Sequence, residues 1–190
     1  MMRFAEFISR RKAWQIFAAL VAPMVIAQVY LAAAISSPSG MGQPPDTAAL
    51  AELSRRMMIV TFLVFSLFLS WLISIGWVSN NRVDATLRPR KRWYFAAAIY
   101  SVAYIGLAGY FFVAFLETER DLPAIVVAMH LLATVAIFYV LGFSSKNLIM
   151  AERQAPVSFF DYSGPFFLMW FFPLGVWFVQ PRVNKLAAVT

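Results

Sequence analysis

The sequence predicts an all-α membrane protein with four transmembrane helices and an aromatic, proline-broken C-terminal segment that dips into the bilayer. Three observations lead there. The 190 residues are 62% hydrophobic and only 13% charged, about half the charge of an ordinary soluble domain. The apolar residues fall into blocks of twenty or more, long enough to cross about 30 Å of hydrocarbon as helix. Near the end, ten of the twenty residues from Phe159 to Phe178 are aromatic, a density suited to a membrane interface, where a ring buries its body among acyl chains.

Residues 1–12 carry Arg3, Arg10, Arg11 and Lys12 against Glu6 alone, with Phe4, Phe7 and Ile8 at helical spacing. This pattern predicts a short amphipathic helix lying on the inner surface. The run Ala13 to Ile35 follows. It is longer than the roughly 7–15 residues of a signal-peptide core, so it reads as an uncleaved first transmembrane helix bent at Pro23. Ser36 to Arg56 reads as a loop rich in Pro, Gly and Ser, in which Asp46 opens a short helical turn.

The second helix is expected over residues 57–79. Ser66, Ser70 and Ser74 recur every four positions and form one stripe suited to close helix packing. The loop 80–93 is the most basic stretch, with Arg82, Arg88, Arg90, Lys91 and Arg92 against Asp84. It is the candidate surface for anionic lipid headgroups or an acidic cytoplasmic partner. The third helix covers 94–116, with Tyr100 and Tyr104 one turn apart and Gly106 and Gly109 allowing close contact. An acidic turn holding Glu117, Glu119 and Asp121 leads to the fourth helix, 124–143, and a polar linker then reaches Pro156.

Lysine and arginine counts set the expected orientation. The N-terminus, the 80–93 loop and the 144–156 linker hold eleven between them, and the two opposite loops hold Arg55, Arg56 and Arg120. The positive-inside rule places the N-terminus in the cytoplasm. The net charge of +7 is accounted for in the same way, so nucleic acid is not an expected partner.

The membrane-inserted segment is expected over 158–180. Ser163 followed by Pro165 resembles a helix start. Phe166 to Val179 gives roughly 21 Å of helix, which Pro173-Leu-Gly175 would break midway. So short a span is a poor crossing, and a crossing would leave Arg182 and Lys185 on the wrong side. A segment that enters and returns is preferred to the alternative, a fifth transmembrane helix. Phe166, Phe167, Trp170, Phe171, Phe172, Trp177, Phe178 and Arg182 are its candidate docking and anchoring residues.

The run from Phe166 to Asn184 fits the pattern W-F-F-P-x-G-x-W-x-x-Q-P-R-x-N, preceded by a Lys-Asn-Leu and Glu-Arg linker at Lys146 to Arg153. In these features, covering roughly the last 45 residues, the chain resembles a family of small bacterial multi-pass membrane proteins. The resemblance implies a bacterial inner membrane and carries no activity.

Little chemistry is visible elsewhere. With no cysteine there are no disulfides, thiolate ligands or thiol nucleophiles. His130 is the single histidine, so packing outranks proton transfer or metal ligation. A Ser163–His130 dyad would need groups at opposite leaflets to meet. Asp161 is expected to accept from Arg182 or Arg153. No paired carboxylates with a metal-spaced histidine and no phosphate loop is present. Catalytic, cofactor and metal sites are therefore all expected to be absent. Gln28, Ser70, Tyr104 and His130 are the candidate intramembrane polar residues, able either to tie helices together or to line a small polar path. The sequence thus points to a non-enzymatic accessory subunit contacting lipid and other integral membrane proteins. The alternative is a small transporter or channel for an uncharged or aromatic solute.

Overall fold

The computed structural model describes residues 2–35, 47–118 and 123–188, with side chains over 5–33, 52–115 and 123–188. The expected turn at Asp46 and the acidic side chains from Glu117 to Asp121 lie outside these. Among the described residues seven helices follow in order: α1 (Met2–Ser9), α2 (Ala13–Ile35), α3 (Thr47–Arg82), α4 (Arg92–Thr118), α5 (Ala124–Arg153), α6 (Phe159–Trp170) and α7 (Phe172–Ala188). Four of them, α2 to α5, are long and apolar enough to cross a membrane. The chain is an all-α membrane protein.

Two of these helices outrun the sequence expectation. α3 begins at Thr47, inside the stretch expected to be a loop up to Arg56, and runs past Ser79 through Asn80 and Asn81 to Arg82, and α5 continues ten residues past Phe143 to Arg153. The reason is tertiary. The polar residues that imitate a linker face each other inside the bundle, where most find partners, although Ser79 Oγ and Asn80 Oδ1 have none among the described residues. Asn80 Nδ2 donates to Asn147 Oδ1 at 2.9 Å and to the Pro89 carbonyl at 3.1 Å. Tyr94 Oη, on α4, donates to the Leu72 carbonyl at 2.7 Å beside Ser144 Oγ. A polar run in hydrocarbon is tolerated as helix when its side chains are satisfied by neighbouring helices.

Gln154 ends α5 in the left-handed conformation, φ 50° and ψ 37°, which costs a non-glycine residue about 1–2 kcal/mol. Its side chain offsets this by clamping two helix ends. Nε2 donates to the carbonyls of Arg82 and Ala151 at 2.8 and 2.7 Å, and Oε1 accepts from the Asp84 N–H at 3.0 Å.

The C-terminal segment is a helical hairpin that enters the bundle and turns back. Asp161, not Ser163, marks its start. Asp161 Oδ2 accepts from the N–H and hydroxyl of Ser158 at 2.8 and 2.7 Å, a capping-box pair that begins α6 at Phe159. Pro165 therefore lies inside the helix, and Ser163 bonds back to the Phe160 carbonyl. α6 climbs along α5 until Phe138 stacks on Phe166 and meets the Trp170 ring at a tilt. Twelve residues give about 18 Å of rise, little more than half of a ~30 Å core. The break falls at Phe171, whose N–H bonds the Phe167 carbonyl. Pro173 is then in the first turn of α7, where a missing N–H costs nothing.

The return is fixed by ion pairs on adjacent residues of α5. Arg153 meets Asp161 at 2.6 Å where the hairpin begins, and Glu152 takes the Arg182 guanidinium through both carboxylate oxygens where it leaves. Entry and exit thus share one end of the bundle, and among the described residues there is no fifth crossing. Of the two partners expected for Asp161, Arg153 is the one used.

α1 also sits at this end, here termed basal. It does not lie free on a surface through Phe7 and Ile8. Its small residues Ala5 and Ser9 are buried against the bundle, and Phe7 faces outward with the Arg11 guanidinium 3.7 Å from its ring centroid. The fully buried side chains Trp71, Leu72, Ile75, Tyr94, Leu148, Met169, Val176 and Val179 form one core. It occupies the basal half, because only there does the hairpin fill the space between α2 and α5.

Candidate functional site

Among the described residues, three places stand out for polar groups: a knot at the base of the hairpin, a groove in the distal half, and the basic rim.

Gln180 ties the knot. It is fully buried on α7, between Val179 and Pro181, and its amide engages three segments. Oε1 accepts from Trp71 Nε1 at 2.9 Å. Nε2 faces the carbonyls of Ser9 and Arg11, both at 3.1 Å, and Asn184 Oδ1 at 2.8 Å. Asn184 adds a bond to Arg11 from one turn further on, at 3.2 Å. These donors satisfy carbonyls left over where α1 ends. The sequence reading missed Gln180. Its signal was available, as the lone amide in the apolar stretch from Phe159 to Val179 and its neighbour.

The rings of the hairpin turn outward. Phe167, Trp170, Phe171, Trp177 and Phe178 are exposed while Met169, Gly175, Val176 and Val179 are buried. Phe166 and Phe172 are half-buried, the latter against Phe68 with ring centroids 5.2 Å apart. Most candidate anchors are therefore exposed, whereas Arg182 is held by Glu152.

The four candidate intramembrane polar residues do not converge. Tyr104 Oη and His130 Nδ1 form a hydrogen bond of 2.9 Å between α4 and α5, and Tyr100 donates to the Met129 carbonyl beside them. Ser70 is half-buried, and its carbonyl accepts from Ser74 Oγ at 2.8 Å. Gln28 stands apart. It is exposed on α2, on the wall of a groove of about 480 Å³ shared with Thr61, Phe65 and Phe68 of α3 and floored by Phe172. Its amide has no partner among the described residues. α2, which packs on α3 and α7, is the least enclosed of the four long helices.

On the basic rim, two expected headgroup ligands are used internally. Arg88 donates to the carbonyls of Val83 and Asn81, closing the end of α3. Lys91 donates to Asn81 Oδ1 at 2.7 Å with its ammonium 4.0 Å from the Trp77 ring centroid. Burial, and then the nearby Arg88 charge, push the Lys91 ammonium below its ordinary pKa. Arg90 and Arg92 are exposed, Arg92 lying over the Trp93 ring. The Thr86 hydroxyl and N–H hold Asp84 below the usual carboxylate range.

Among the described residues no group of three or more His, Asp or Glu side chains could hold a metal ion. His130 pairs with Tyr104 and Ser163 with a backbone carbonyl, so no Ser–His dyad is assembled. Comparison with known proteins finds no matching family model, no similar curated protein and no similar solved structure.

Proposed function

We propose that this chain is a non-enzymatic accessory subunit of a larger complex in a bacterial inner membrane, with its N-terminus in the cytoplasm. One observation carries the reading. The Gln28 amide faces an open apolar groove with no hydrogen-bonding partner among the described residues, and an unsatisfied amide in hydrocarbon costs several kcal/mol. A helix of a partner membrane protein, bearing one hydrogen-bonding side chain, would cover the groove and satisfy Gln28, with the Thr61 hydroxyl on the opposite wall. The buried polar groups support this by default, because most are engaged in holding the bundle itself. A transport path has less support, since Gln28, Ser70 and the Tyr104–His130 pair belong to different helix contacts. The outward rings of α6 and α7 would face lipid or the partner, and Arg90 and Arg92 would meet anionic headgroups.

The bacterial setting rests on the resemblance of the C-terminal motif, and the orientation on the excess of lysine and arginine at the basal end. Photo-crosslinking from position 28 in membranes, followed by mild-detergent purification, tests the docking. One recurrent larger membrane protein should attach there, and Gln28→Leu should weaken its recovery. Recovery only as a self-associated protein that passes solute in liposomes would overturn the reading. A reporter active only in the cytoplasm, fused after Thr190, should be active.

A further inference from the structure

The hairpin enters the bundle and leaves it at the same end, which makes the two halves of the molecule unequal. Its tip meets α3 where Phe172 packs on Phe68, and α5 where Trp170 packs on Phe138. About 21 Å of helix separates Phe68 from Arg82, and about 22 Å separates Phe138 from Arg153. Beyond these rings α3 and α5 run on for roughly 20 Å without the hairpin, to Arg56 and Ala124. Among the described residues, six helices therefore share the basal half, α2 to α7, and four continue into the distal half.

Burial follows the same division. In α3 no residue from 52 to 68 is buried, whereas Leu69, Trp71, Leu72, Ile75 and Asn80 all are. Two open grooves flank that distal stretch, one of about 480 Å³ against α2 and one of about 490 Å³ against α4. The added helices are not enclosed at the base. Phe160, Phe167, Phe171, Leu174 and Phe178 are exposed along both arms of the hairpin, so α6 and α7 displace lipid. A helix with its side chains is about 10–12 Å across, so two of them add roughly 160–230 Å² of cross-section to one leaflet.

We propose that the chain is a wedge whose lipid partner is a curved bilayer, with the basal leaflet on the convex side. In a flat bilayer the hairpin crowds the basal leaflet, while the distal chains must spread into the two grooves. Where the basal side is convex, the basal leaflet is expanded and the distal leaflet compressed, and both fit the tapered bundle. A mismatch of shape, like one of length, is relieved by deforming the bilayer or by moving to one that already fits. The wedge does not rest on the docking of a partner at Gln28. A partner helix in that groove would fill out the narrow half, so the chain on its own is the form that shows the taper.

Tubes pulled from giant vesicles test it. The chain has no cysteine, so Ala85→Cys marks the basal end and Ala124→Cys the distal end, both at exposed positions. Each purified variant is reconstituted alone in phosphatidylcholine, and a membrane-impermeant fluorescent maleimide labels only the molecules whose marked end faces outward. An outward tube puts the outer leaflet on the convex side. Ala85→Cys fluorescence per lipid should be higher in the tube than in the parent vesicle, and should climb as the tube narrows. Ala124→Cys fluorescence per lipid should be lower in the tube. Because each label reports one orientation, a bias in how molecules insert does not enter the comparison. Any outcome in which Ala85→Cys molecules are not enriched over Ala124→Cys molecules would overturn the wedge, equal enrichment of both included.

Discussion

Gly175 is the position where the hairpin leaves least room. A Cβ placed there would lie 1.6 Å from the Leu168 carbonyl oxygen and 2.3 Å from its carbon. Both are backbone atoms near the end of α6, so no side-chain rotation relieves the clash. To reach ordinary contact the two helices must separate by about 2 Å. That separation loosens Met169, Val176 and Val179, all fully buried. Overpacking usually costs 1–3 kcal/mol, and a rigid obstacle puts Gly175→Ala at about 3 kcal/mol or more. For a chain of this size that corresponds to ~6–12 °C in Tm. Gly164→Ala is the control, because nothing lies within 4 Å of its added methyl and alanine favours helix by about 1 kcal/mol. Melting in nanodiscs compares the two. The chain has no cysteine, so Met169→Cys alone reports opening: it should be inert to a thiol reagent beside Gly164→Ala and reactive beside Gly175→Ala. Melting of the two alanine variants within about 1 °C of each other, with Met169→Cys inert in both, would refute the close approach of α6 and α7.

Two further predictions concern the ends of the hairpin. Gln180→Leu orphans Trp71 Nε1 and strips a donor from the carbonyls of Ser9 and Arg11, which should cost about 2–4 kcal/mol. Trypsin should then cut at Arg10, Arg11 and Lys12 much faster than in the parent, and unchanged cleavage would contradict the knot. Asp161 is held at a pKa of about 2 by the Ser158 hydroxyl and N–H and then by Arg153, against an ordinary 3.8. Because the folded value is lowered, the cap contributes fully above 3.8 and is lost as pH falls through about 2. The parent should therefore melt above Asp161→Asn by a constant margin from neutral pH down to about pH 4, and the two should converge near pH 2. Convergence already at about pH 5 would exclude this cap as the source.

The helices themselves were legible because lipid demands long apolar runs, and α2 to α5 supply them. Their ends were not. Ser144, Ser145, Lys146 and Asn147 look like a linker until Asn80 and Tyr94 are placed opposite them, and no local pattern announces that pairing. The re-entry of the tail could be argued from its short span and from Arg182 and Lys185, but its start was misplaced. Ser163 with Pro165 imitated a cap, while Ser158 and Asp161, at capping-box spacing, were the better signal. In the candidate site the Tyr104–His130 contact and the isolation of Gln28 could come only from helix neighbours. Gln180 was visible as an odd amide, but its partners lie far away in sequence, where periodicity says nothing.

The single amide of Gln180 also sets an order of events. It closes on Ser9, 171 positions earlier in the chain, so α1 cannot be latched until those intervening residues have been made. At ordinary elongation rates this is a wait of about 10–30 s. During that interval α1 is held by α3 at most, and α7, made much later, acts as the key that locks it.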